Sequence, residues 1–174
     1  MAWVVFLRGV NVGGHKTFRP SVIARELAGY GVINVGAAGT LVVRGTVSQA
    51  SLRTEILRRL PFKPELMMCP ARELLELARR EPFRDAPPEK HARRFVSVMQ
   101  KAPRTLPRLP LEQPAGDKWE VKIIGISGRF AWSLWRRQGG AMVYPNAVVE
   151  KHLGIPATTR SWNTVSAICD ILEK

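Results

Sequence analysis

Trp3-Val4-Val5-Phe6-Leu7-Arg8-Gly9-Val10-Asn11-Val12-Gly13-Gly14-His15-Lys16 decides how the chain begins to fold. Five apolar residues, rich in β-branched and aromatic side chains, read as a buried strand. The strand runs straight into a loop with three glycines, an asparagine and the potential cations Arg8, His15 and Lys16. Such a loop lets the backbone approach a ligand closely. Pro20 stands at a first helical position, and Ile23, Leu27 and Tyr30 mark one face of a helix over 20–30 that Gly31 closes.

Further along, Val32-Ile33-Asn34-Val35 and Thr40-Leu41-Val42-Val43 read as short strands divided by Gly36-Ala37-Ala38-Gly39. Ser48 caps a helix whose Leu52, Ile56 and Leu60 recur every four residues until Pro61. Glu65 to Cys69 forms another strand, and Pro70 opens a helix that buries Leu74, Leu75 and Ala78. Strand, helix, strand, strand, helix, strand is the order of a ferredoxin-like βαββαβ unit. The expected class is α+β with two subdomains, a ferredoxin-like one over 1–81 and a second over 82–174.

The second subdomain has a proline-rich entry, with seven prolines between Glu81 and Pro114. That density forbids one regular element. Within it, Arg94 to Met99 alternates as a strand, and Lys90 to Leu111 carries six basic residues and no acidic one. Glu120–Ile126 and Arg129–Trp135 form a hairpin around Ser127-Gly128, bearing Phe130, Trp132 and Trp135. Asn146 caps a helix that ends at Leu153 and Gly154. A last helix starts after Ser161 and buries Val165, Ile168 and Leu172.

Composition narrows the classes. With 174 residues and 45% hydrophobic content, the chain can bury a core without staples. Its apolar runs fall far short of the roughly 18–20 residues of a membrane span, and its start lacks the pattern of a signal peptide. Cys69 and Cys169 have neither CxxC spacing nor histidine neighbours, so both read as core residues, and a reducing cytoplasm is the expected compartment. His15, His91 and His152 have no metal-ligand spacing. No metal and no cofactor is implied. Nothing fixes the oligomeric state, and a monomer is compatible with the composition.

The formal net charge of +13 favours anionic partners, either nucleic acid or a phosphorylated small molecule. Arginine outnumbers lysine 19 to 8 and is spread over both halves, which is also the pattern of arginine-rich codon usage. Gly9, four residues, Gly14 and then Lys16-Thr17 approaches a phosphate-binding P-loop, but His15 is inserted before the lysine and Phe18-Arg19 delays the helix. What survives is an anion nest of Gly13 and Gly14 backbone N–H groups, with Arg8, Gly9, Asn11 and Lys16 around it. Thr158-Thr159-Arg160-Ser161-Trp162-Asn163-Thr164 supplies a second group at a helix start, with Arg160, Trp162 and Asn163 as candidates. In both places, turn geometry and capping explain the same residues.

Leu7 to Gly14, Gly39 to Val43, Pro82-Phe83 and Thr158 to Val165 together resemble the bacterial domain of unknown function 1697 family over nearly the whole chain. The resemblance implies a bacterial cytoplasmic protein of two α+β subdomains, the first ferredoxin-like, with no assigned activity. The family usually has asparagine where Thr40 and Ser161 stand. Three readings follow. The first is an anion-binding module for a phosphate-bearing ligand in which the two segments converge. The second is a small-molecule enzyme in which Asn11, Asn163 and Arg160 orient a carboxylate or phosphate. The third is a structural or interaction protein with no ligand.

Overall fold

The computed structural model describes residues 1–10, 14, 17–87, 90–140 and 142–174. The chain divides into two compact units, Met1–Glu76 with Ser166–Lys174, and Leu77–Val165. Each carries its own antiparallel sheet, of four and five strands, and the chain is of the α+β class. No helix among the described residues is long and apolar enough to cross a membrane.

The first unit contains β1 (Trp3–Leu7), α1 (Pro20–Glu26), β2 (Val32–Asn34), β3 (Thr40–Val43), α2 (Gln49–Arg59) and β4 (Leu66–Pro70). The strands lie in the order β2-β3-β1-β4 with every pair antiparallel. This order is compatible with the expected ferredoxin-like unit. Pleating explains the packing, because alternate residues reach opposite faces. Val5 and Leu7, Leu41 and Val43, and Leu66 and Met68 meet Ile23 of α1, Leu27 just past its end, and Leu52 and Ile56 of α2 in one core. Burying each of these side chains is worth about 1.5–3 kcal/mol relative to exposure. Val4, Phe6, Val42, Met67 and Cys69 point the other way and are buried as well. Burial on both faces is why these strands read as unbroken apolar runs.

Two helix starts follow the sequence. Pro20 opens α1, and Ser48 accepts the Ser51 N–H at 3.1 Å to cap α2. The first helix is shorter than expected. Leu27 leaves helical geometry, and the chain tightens into a 3-10 turn, Ala28–Tyr30, closed by Gly31 in the left-handed region.

The second unit contains β5 (Arg93–Met99), β6 (Leu111–Gln113), β7 (Val121–Ser127), β8 (Phe130–Trp135), α4 (Pro145–Leu153) and β9 (Ala157–Ser161). α3 (Ala71–Arg79) and α5 (Trp162–Glu173) each begin in one unit and end in the other. The sheet order is β6-β7-β8-β5-β9, antiparallel throughout. Val148 and Val149 of α4 pack with Met99, Val121, Ile123, Ala131 and Ala157. At the bulge between Ile123 and Gly125 the Trp132 ring fills the space a side chain would take, since a Cβ on Gly125 would lie 2.0 Å from it.

Three expectations need correction here. Thr158–Ser161, read as part of a helix start, is most of β9, paired along β5, and the helix begins only at Trp162. Its polar run lacks the apolar alternation that marks a strand. β6 also went unseen, a three-residue strand inside the proline-rich stretch. Asn146 does not cap α4: Tyr144 holds the cap position without a side-chain bond, Pro145 opens the helix, and Asn146 is already inside it.

Gly36 and Gly39 separate two effects. Both have positive φ, 73° and 75°, but a Cβ on Gly36 meets nothing within 4 Å, while one on Gly39 comes within 2.7 Å of Val10 Cγ2 and 2.8 Å of Leu7 Cβ. In urea unfolding, Gly36→Ala is expected to cost about 1–2 kcal/mol from the left-handed backbone alone. Gly39→Ala adds overpacking of about 1–3 kcal/mol and should be clearly the worse.

Candidate functional site

Arg8, at the end of β1, turns back onto Glu65. Its Nη1 donates to Glu65 Oε1 at 2.9 Å, and its backbone N–H to the Glu65 carbonyl at 3.0 Å. Both side chains are partly exposed, which limits such a pair to about 0–1 kcal/mol. Gly9 and Gly14 are exposed with φ of 65° and 76°. Their conformation favours glycine, while a Cβ on either would meet nothing within 4 Å among the described residues. Asn11, Gly13 and Lys16 lie outside the described residues, as does His15.

The other expected group belongs to the second unit. Arg160 stands opposite Val96 in the β5–β9 pairing, and only 7% of it is exposed. Its Nη1 donates to Thr158 Oγ1 and to the Thr159 carbonyl, each at 2.9 Å. Burial pushes its guanidinium down to about 10, so it remains charged at neutral pH. Because this lies below the ordinary guanidinium range, the unfolded chain binds more protons at pH above about 10, and stability from this residue rises with pH from there up to the ordinary value. Ser161 caps α5, its Oγ accepting the Thr164 N–H at 3.2 Å. Trp162 packs edge-on against Phe83, ring centroids 5.2 Å apart, and Asn163 is exposed.

Arg160 is thus an inward-facing residue, and the surface beside it is made by residues the sequence did not single out as a site. Arg93 and Arg94, both exposed, open β5, which lies between β8 and β9. The Arg94 guanidinium carbon sits 5.6 Å from the centre of the Phe83 ring, the same ring that meets Trp162. Arg93 lies directly opposite Trp135 on β8, and Phe95 contacts the Trp135 ring edge-on at 6.1 Å. One tripeptide, Arg93-Arg94-Phe95, therefore joins cations and aromatic rings on both faces of the sheet. Arg137, just past β8, is also exposed.

Neighbouring cations are already engaged. Lys122 and Arg136 lie over the buried Trp119 ring, 4.6 and 3.9 Å from its centre, and Arg136 also donates to the Trp119 and Asp117 carbonyls. Charge is unevenly divided. Residues 77–165 hold 16 Lys and Arg against 7 Asp and Glu, a net +9, which leaves +4 for the first unit. The basic run from Lys90 and the aromatic hairpin were each visible in the sequence. Their meeting depends on the β5–β8 register, which was not.

Beneath α4, Ser97 and Thr159 share a 2.8 Å hydroxyl contact, and Thr159 reaches Asn146 Oδ1 at 3.4 Å. Among the described residues, no three His, Cys, Asp or Glu come together to hold a metal. Cys69 and Cys169 are both buried.

A family model described as Protein of unknown function (DUF1697) matches residues 1–126. The chain belongs to the DUF1697 family. The DUF1697 match takes in β1 to β4 and includes Arg93, Arg94 and Trp119, whereas Trp135, Arg160 and Trp162 lie beyond it. The chain is also similar in structure to the conserved bacterial protein SP0830 from Streptococcus pneumoniae, at 15% identity over 98% of each chain with a TM-score of 0.55. At that identity the similarity concerns the fold alone. No curated protein matches the chain.

Arg94 and Phe83 should separate in unfolding experiments. Arg94 is exposed and its ring contact is worth about 0.5–1 kcal/mol, so Arg94→Ala is expected to lower stability by no more than about 1 kcal/mol. Phe83 is 5% exposed, and Phe83→Ala should cost about 3–5 kcal/mol.

Proposed function

We propose that this protein binds a phosphate-bearing polymer at the end of the second unit's sheet where β5 begins. The observation that carries the reading is the pair Arg93 and Arg94, adjacent and exposed on a central strand of a unit with net charge +9. A guanidinium presents a planar set of donors matched to phosphate oxygens, and its charge persists at any physiological pH. No acidic residue interrupts the sequence from Lys90 to Leu111, so the local field is not cancelled by its own segment.

Arg160 serves this site by position. Buried on β9 beside β5, it adds positive potential, while Arg93, Arg94 and Arg137 are the cations a ligand meets. The Arg94–Phe83–Trp162 contacts hold one of those cations in place without neutralising it.

Fluorescence anisotropy with labelled short oligonucleotides tests the reading. Binding is expected near 50 mM salt and should weaken at least tenfold by about 200 mM, because each phosphate contact releases counterions. The Arg93→Ala, Arg94→Ala double variant should bind more weakly and reduce the slope of log K against log salt by roughly 1.4, at about 0.7 per contact on a single strand. Absence of binding at low salt, or a slope unchanged in the double variant, contradicts the proposal.

A further inference from the structure

We infer that the polymer is single-stranded nucleic acid and that its bases stack on the aromatic rings beside Arg93 and Arg94. This inference rests on the polyanion reading above and adds to it the nature of the ligand. A cationic surface alone accepts any polyanion. The start of β5 carries more than charge: Phe95, Trp135 and Trp162 are all partly exposed there.

The arrangement alternates charge with ring. Arg93 stands opposite Trp135 across the β5–β8 pair, at the close spacing of cross-strand neighbours. Trp135 meets Phe95 edge-on, with planes at 82°, so the contact occupies the edge of one ring and not the faces of both. The Trp135 indole N–H donates to the Val143 carbonyl at 2.9 Å, which fixes the orientation of the ring. On the other side of the strand, Arg94 lies over Phe83, and Phe83 backs Trp162 at an interplanar angle of 65°.

Rings held in this way, at the strand end that carries the exposed Arg93 and Arg94, suit a chain in which phosphates and flat bases alternate. In a duplex the base faces are already stacked on one another and leave nothing for the indoles to cover. An unpaired strand offers both parts, and stacking of its bases on aromatic side chains is tolerant of sequence. The proposed ligand is therefore an unpaired strand recognised without strong sequence preference.

The test compares two probes of equal charge on the intact protein, a short oligothymidylate and an abasic deoxyribose-phosphate strand of the same length. The oligothymidylate is expected to bind at least about fivefold more tightly and to quench tryptophan fluorescence, while the abasic strand binds without quenching. Trp135→Phe should diminish the quenching, and Arg94→Ala should weaken both probes alike. Equal affinity for the two probes with no quenching overturns the stacking inference and leaves the polyanion reading intact. If neither probe binds at low salt, the polyanion reading fails and the inference falls with it.

Discussion

The second unit depends on the register of β5 between β8 and β9. Val96 is paired with Trp132 on one side and Arg160 on the other, and from that alignment every neighbouring position follows. Met99, Ser97 and Phe95 then share the face that α4 covers, while Arg94, Val96 and Val98 share the opposite one. A slip of one residue would exchange the two sets and turn Met99 away from the apolar layer it shares with Val148 and Val149. Core packing therefore fixes where Arg93 and Arg94 stand. The hydroxyl pair Ser97–Thr159 adds a specific bond across the β5–β9 seam.

The positive charge of this unit is not uniform in what it can do. Arg160 is desolvated and bonded to Thr158 and Thr159, and Arg136 and Lys122 are held over Trp119. These cations contribute to the field from fixed positions. Arg93, Arg94 and Arg137 keep their water, so a phosphate can displace it at low cost. In the proposed function, this difference in burial separates a structural arginine from a recognition arginine. Arg8 is set apart by pairing and not by burial, since its guanidinium bonds to Glu65 while both side chains are partly exposed.

Much of the fold was legible where periodicity was strong. β1, β3, β4, α2 and the β7–β8 hairpin follow from apolar runs, four-residue spacing and turn glycines. β9 was not legible, because Thr158-Thr159-Arg160-Ser161 resembles a capping segment and becomes a strand only by pairing with β5. Asn146 misled for a related reason: its side chain has the chemistry of a cap, but Pro145 had already started the helix, leaving the amide to Thr159. The candidate site was half visible. Trp162 was named from sequence, Phe95 and Trp135 lay in strands read from it and Arg93 in the basic run just before, yet cross-strand pairing between residues some 40 positions apart leaves no local trace. Asn11, Gly13 and Lys16 of the opening loop lie outside the described residues.

Backbone and indole N–H chemical shifts, followed by NMR as a short single-stranded oligonucleotide is added at low salt, test the central claim most directly. The account expects the largest shifts at Arg93, Arg94 and Phe95 and at the indole N–H groups of Trp135 and Trp162, with Arg160 moved less than its neighbours. Shifts confined to Gly9–Lys16, or no shifts at saturating oligonucleotide, would contradict it.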